Sequence, residues 1–185
     1  PMETLTANAV IFEHPLNETI RVCLKLERLF QQFHHQRDQQ TYSPLSTLTT
    51  LLRIINTTDR PDLRSKLGNI LAKLSTNLSL FNELPNIDTN KLTDLSNTVQ
   101  QLNNKMRNNN NRIADDLKKI DFLHQLRRQL QQPTGLSPHQ YLPLTTWLAQ
   151  DLSQQHHDLM LWYTSLRDLE ASIQLIFNIL RHQSK

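Results

Sequence analysis

Glu13, His14 and Glu18 lie within six residues of one another in the stretch VIFEHPLNETIRVCLKLERLFQQ, Val10 to Gln32. An imidazole between two carboxylates is the equipment of general acid–base catalysis, in which one group takes a proton and another returns it. The same residues also fit the start of a helix. Pro15 drives His14 into extended backbone. Asn17 is a good N-cap, and Glu18 then stands in the first turn, where the helix dipole favours a negative charge. Glu13, His14, Pro15, Asn17, Glu18 and Arg21 are therefore read as the lead-in to a helix rather than as a catalytic set.

Eight histidines raise the question of a metal. His34–His35 and His156–His157 are adjacent pairs, and neighbours on a helix point about 100° apart, so such a pair seldom ligates one ion. No H-E-x-x-H match occurs. The histidines are read as solvated surface groups, and neither a metal nor a cofactor is expected. Cys23 falls on an apolar stripe and reads as a small buried thiol. No Ser–His–Asp or Cys–His–Asn order carries a nucleophile signature. The two glycines, Gly68 and Gly135, leave little room for a phosphate-binding loop or a many-stranded β fold.

The basic residues offer a different chemistry. Arg60 and Arg64 in RPDLR are four apart, the spacing of one helical face. Lys118, Lys119, Arg127 and Arg128 cluster in DDLKKIDFLHQLRRQ, and Arg53 and Lys66 could join either group. One reading is a solvated face neutralised by Asp59, Asp62, Asp115 and Asp116. The other is a cationic groove for an acidic peptide or for nucleic acid. Only Phe122 interleaves with these cations, which disfavours a stacking platform for single strands.

Helices must position these groups. Ile20, Cys23, Leu24, Phe30 and Phe33 recur at helical spacing, predicting a first helix from about Asn17 to His35. Ser43 as cap and Pro44 at the first helical position start a second, to about Asn56. A third runs from Pro61 through Leu67, Leu74 and Phe81. Leu92, Leu95, Val99, Leu102 and Met106 give the fourth, predicted to pair antiparallel with the third. A fifth covers about Ile113 to Gln131, and a short sixth follows Pro143. The closing segment carries two stripes, Leu159 to Leu166 and Leu169 to Leu180, which could be two helices with a bend near Arg167 and Asp168. Ala9 to Phe12 could form one short strand. The expected fold is mainly α, a bundle of about seven helices.

The formal charge of +3, from 20 basic and 17 acidic side chains, permits an acidic partner without demanding nucleic acid. A single cysteine excludes an internal disulfide and, with no signal-peptide pattern, points to a reducing cytosol. No apolar run approaches the roughly 20 residues that span a bilayer.

The opening stretch resembles the N-terminal signature of the ZapD family of bacterial cell-division proteins. The matching residues are Ile11–Phe12, then Glu13-His14-Pro15-Leu16-Asn17-Glu18, then Arg21, then Lys25-Leu26-Glu27. Further on, DRPDLR, LRRQLQQPTG, YLPLTTWL, WYTSL and LIFNILRHQSK are similar to later family segments. The resemblance spans Ala9 to Lys185. It departs where the family has a proline break and this chain has Arg167-Asp168.

The resemblance implies a helical domain, here 9–185; residues 1–8, where Pro1 precedes Met2, are read as a disordered or tag-derived N-terminus. A C-terminal β-stranded domain of the family would begin where this sequence stops. It further implies a homodimer without enzymatic activity that binds the C-terminal tail of FtsZ through a basic surface. The dimer would bundle FtsZ filaments in the cytoplasm, at the mid-cell division site. No small-molecule substrate and no membrane are expected. Arg60 is the first candidate for tail contact, followed by Arg64, Lys118, Lys119, Arg127 and Arg128. A basic helical module for nucleic acid, or a general interaction module, is the alternative.

Overall fold

The computed structural model describes residues 16–38, 43–81, 89–108 and 111–183. The expected strand at 9–12, and with it Glu13, His14 and Pro15, lies outside them. Among the described residues the fold is all helical. The elements are α1 (Leu16–Asp38), α2 (Pro44–Thr57), α3 (Leu63–Phe81), α4 (Thr89–Arg107), α5 (Asp115–Lys118) and α6 (Asp121–Leu130). A 3-10 turn (Pro138–Gln140), α7 (Leu142–Leu148), α8 (Leu152–Thr164) and α9 (Arg167–Gln183) complete the series.

The described residues hold nine helices against about seven expected: the predicted fifth helix is divided, and the closing segment is two helices. The fifth breaks at Ile120, whose backbone is extended (ψ 112°), and Asp121 opens the first turn of α6. The closing segment breaks at Ser165–Leu166, just ahead of the expected bend, with Asp168 and Glu170 in the first turn of α9. Carboxylates at a helix start favour a new N-terminus over continuation. Ser43 caps α2 as predicted, accepting from Ser46 N at 3.4 Å, with Pro44 following. α1 begins at Leu16, so Asn17 is inside the first turn and is not the cap; Glu18 does stand in that turn.

The apolar stripes meet in one core. Cys23, Leu26, Phe30 and Phe33 of α1 are buried against Leu48, Leu51, Leu52 and Ile55 of α2 and Leu166, Ile173 and Ile176 of the closing segment. α1 packs on α2 and α9, α2 also meets α6 and α8, and α9 touches α3 and α4. α3 and α4 form the expected antiparallel pair. Gly68, near the start of α3, faces Asn103 and Arg107 at the end of α4, where an added Cβ would meet their side chains at 3.7 Å. Phe122, Trp147 and Trp162 form a smaller aromatic cluster with centroids about 6 Å apart, joining α6, α7 and α8. No described helix is long and apolar enough to cross a membrane.

Candidate functional site

Buried groups are tied into structure. Cys23 is fully buried, and burial pushes its thiol up to about 12, so it stays protonated and unreactive at neutral pH. His34 is not a solvated surface group as read from sequence. Its Nε2 lies 2.9 and 3.1 Å from the two oxygens of Glu170, a carboxylate only 6% exposed. Tyr163 Oη donates to the same carboxylate, and Gln174 Nε2 donates at 3.1 Å. Burial first, and the Glu170 hydrogen bond second, raise the Tyr163 phenol. Phe33 stacks on the Tyr163 ring at 5.3 Å. This network clamps α1, α8 and α9 together. Among the described residues no three His, Cys, Asp or Glu side chains gather to hold a metal ion.

The basic residues sort into three environments. The first is a hub at Asp59. Lys118 Nζ lies 2.9 Å from its Oδ1, and Arg127 Nη2 lies 2.8 Å from its Oδ2. Arg127 Nε also donates to Asn56 Oδ1 at 2.7 Å. The Lys118 and Arg127 side chains are only 11% and 10% exposed. Together they hold the Asp59 carboxyl below its usual range, the Lys118 hydrogen bond contributing most. These two cations thus fasten α5 and α6 to the end of α2. Lys119 is exposed and pairs with Asp115 at 2.8 Å, while Arg128 is exposed and makes no ion pair among the described residues.

The second environment is a groove of about 810 Å³ between α1, the end of α2 and the end of α6. α1 supplies Glu18, Arg21, Val22, Lys25 and Leu29, which share one face because they recur at three- and four-residue steps. α2 supplies Arg53, Asn56 and Thr57 by the same spacing, and Leu130 closes the far side. Val22 and Leu29 form an apolar floor, 6% and 9% exposed. Arg60 lies on the rim, 2.8 Å from Glu18. Four cations (Arg21, Lys25, Arg53, Arg60) thus stand against two carboxylates (Glu18, Asp59), and Asp59 is already engaged by the hub. Arg21, Lys25 and Arg53 make no ion pair among the described residues. Arg28 continues the basic stripe of α1 past the groove, beside the partly exposed Leu24.

The third environment contains Arg64. Arg60 and Arg64 do not share a helical face, because α3 starts at Leu63 and Arg60 precedes it in a turn. Arg64 instead lines a second pocket, with Arg107 and Arg112.

Of the six sequence candidates for a partner surface, then, the groove takes in Arg60 alone. Lys118 and Arg127 are buried against Asp59, Arg64 faces elsewhere, and Lys119 and Arg128 lie outside. The groove cations that the candidate set left out were visible as a pattern. Arg21, Lys25 and Arg28 recur at i, i+4 and i+7 on the helix whose apolar stripe was already identified.

Fold and site together define a class: a mainly α-helical domain that carries an open basic groove with an apolar floor. Comparison with known proteins places it more narrowly. The family model described as ZapD, cell division protein, matches residues 24–185. A Cell division protein ZapD of Coxiella burnetii is 30% identical over 181 residues, covering 97% of this chain and 70% of that protein. Those of Yersinia enterocolitica and Nitrosomonas eutropha are 29% and 28% identical, over 97% and 94% of this chain and 72% and 69% of theirs. The chain belongs to the ZapD family of cell division proteins.

Proposed function

We propose that this chain is a division accessory protein that takes the acidic C-terminal tail of FtsZ into the α1/α2 groove. In this reading it is a cytoplasmic homodimer that acts at the mid-cell ring by binding alone, without catalysis. Two tail sites on a two-fold dimer make a bivalent cross-linker, and the many tails along a filament let weak contacts add.

The observation that carries the reading is the groove itself. Three cations without a carboxylate partner among the described residues, Arg21, Lys25 and Arg53, overhang the apolar floor of Val22 and Leu29. Charge-assisted hydrogen bonds from arginine suit the carboxylates of a peptide, and the floor suits an apolar side chain between them. Arg60 is the fourth contact, once it exchanges Glu18 for a tail carboxylate. Lys118 and Arg127 support the groove from below through Asp59 and do not touch the tail. Leu142, Leu152 and Leu161 on α7 and α8 are 76%, 60% and 60% exposed, apolar surface that a second copy could cover.

Low-speed pelleting of FtsZ filaments tests this. Addition of the protein should drive filaments into the pellet, and Arg21→Glu with Arg53→Glu should prevent it. Pelleting that the double variant leaves intact, or no pelleting by the unaltered chain, would overturn the reading.

A further inference from the structure

The pocket at Arg64 differs in kind from the tail groove. It has a volume of about 490 Å³ and lies where the start of α3 meets the end of α4 and the approach to α5. Arg64, Arg107 and Arg112 converge on it, with Ser65 and Asn69 as neutral polar neighbours. Among the described residues no carboxylate lines it, and none of the three guanidiniums forms an ion pair. Arg64 is partly buried, and its Nε is shut off from solvent without a hydrogen-bond acceptor. Burial alone lowers the pKa of Arg64, with no carboxylate to offset it. Three like charges gathered without a counter-charge cost free energy, and a buried unsatisfied donor adds to that cost. Arg107 has a partial explanation, since a cation at the end of α4 complements the helix dipole. That leaves Arg64, at the positive end of α3, on the wrong end of its own helix.

We propose that this pocket binds a phosphate group, either free phosphate or the terminal phosphate of a nucleotide. Planar forked guanidiniums from three chain segments match a tetrahedral, doubly charged oxyanion, which accepts paired hydrogen bonds from several directions at once. A peptide carboxylate is planar and singly charged and cannot engage all three forks. Among the described residues of the lining, Met106 and Pro61 are the only apolar side chains, and no aromatic ring offers a base a stacking surface. Recognition therefore rests on the phosphate and not on a base. The pocket shares no residue with the tail groove, so the two proposals stand or fall separately.

Isothermal titration calorimetry with inorganic phosphate, pyrophosphate and a nucleoside diphosphate, each at constant ionic strength, tests the site. Saturable binding of at least one of them is expected. Arg107→Gln with Arg112→Gln should weaken it by about tenfold or more, the loss of charge-assisted hydrogen bonds. Both side chains are exposed, so the fold is retained, and far-ultraviolet circular dichroism checks that. Lys73→Gln, which removes an exposed cation elsewhere on α3, should leave binding unchanged. The nucleoside diphosphate should bind no more tightly than pyrophosphate, because recognition rests on the phosphate; distinctly tighter binding of the nucleoside diphosphate would overturn that reading. The proposal is overturned if no saturable binding occurs or if the double variant binds as well as the unaltered chain. Succinate competing as well as phosphate would overturn it too.

Discussion

The Asp59 hub and the α1/α2 groove are neighbours, and both are rich in basic residues, yet they do opposite things with their charge. In the hub, one carboxylate takes Lys118 and Arg127, and the two cations are nearly buried. Their charge is spent on holding α5 and α6 against α2. In the groove, Arg21, Lys25 and Arg53 meet no carboxylate among the described residues and keep their charge for something outside the chain. The number of basic residues in a segment therefore says little about its capacity to bind an acidic partner. What decides is whether a carboxylate of the same fold reaches them first.

The largest expected effect breaks the hub. Asp59→Ala leaves Lys118 and Arg127 buried without a counter-charge. Removing one partner of a buried pair costs 3–5 kcal/mol, and Asp59 is itself 38% exposed, so about 2–3 kcal/mol is expected here. A lowered urea midpoint measures it. Loss of less than 1 kcal/mol would mean that water serves the hub as well as Asp59 does.

Acid breaks the same hub without mutation. The folded state holds the Asp59 carboxyl below its ordinary 3.8, so between those two values the unfolded chain binds the proton more readily. Stability from this group is present above 3.8 and falls as pH drops through the folded value. The difference in stability between the unaltered chain and Asp59→Asn should accordingly shrink as pH falls below 4. A constant difference would show that the hub contributes no charge–charge stabilisation.

Arginine-to-glutamine changes sharpen the contrast between the regions. Arg127→Gln removes a buried cation that donates to both Asp59 and Asn56, and should cost about 1.5–3 kcal/mol. Arg53→Gln removes an exposed cation with no carboxylate partner among the described residues and should leave the urea midpoint where it was. Equal destabilisation by the two would erase the distinction between hub and groove.

The smallest effect is a gain. Gly68 is buried inside α3, and an added Cβ meets only the Arg107 and Asn103 side chains, at ordinary contact distance. Gly68→Ala should stabilise the chain by about 0.5–1 kcal/mol, the usual helix-interior difference. A loss instead would show that the α3/α4 packing beside Arg107 has no slack.

Helix positions were readable from the sequence because each signal is local. Ser43 and Pro44 announce α2, and the leucine spacing of α3 and α4 announces their pairing. The break at Ile120 was missed, and the one at Ser165–Leu166 was expected slightly late, near Arg167 and Asp168. Neither site contains glycine or proline, and the signals that remain, Asp121 and Asp168, are single residues at a new helix start. The site was only half legible. The α1 stripe of Arg21, Lys25 and Arg28 is periodic and could be read. Which cations remain open could not, because it depends on pairings such as Arg127 with Asp59, 68 residues apart, and His34 with Glu170, 136 apart. Arg60 and Arg64 illustrate the same limit from the other side. Their four-residue spacing implies a shared face only if both are in the helix, and α3 begins between them.

The most direct test of the central claim is fluorescence anisotropy with a labelled FtsZ C-terminal tail peptide, titrated at low and moderate salt. Binding should be saturable, weaken with salt, be lost in Arg21→Glu with Arg53→Glu, and be kept in Lys119→Gln. Binding that survives the double charge reversal, or no binding by the unaltered chain, would contradict the claim.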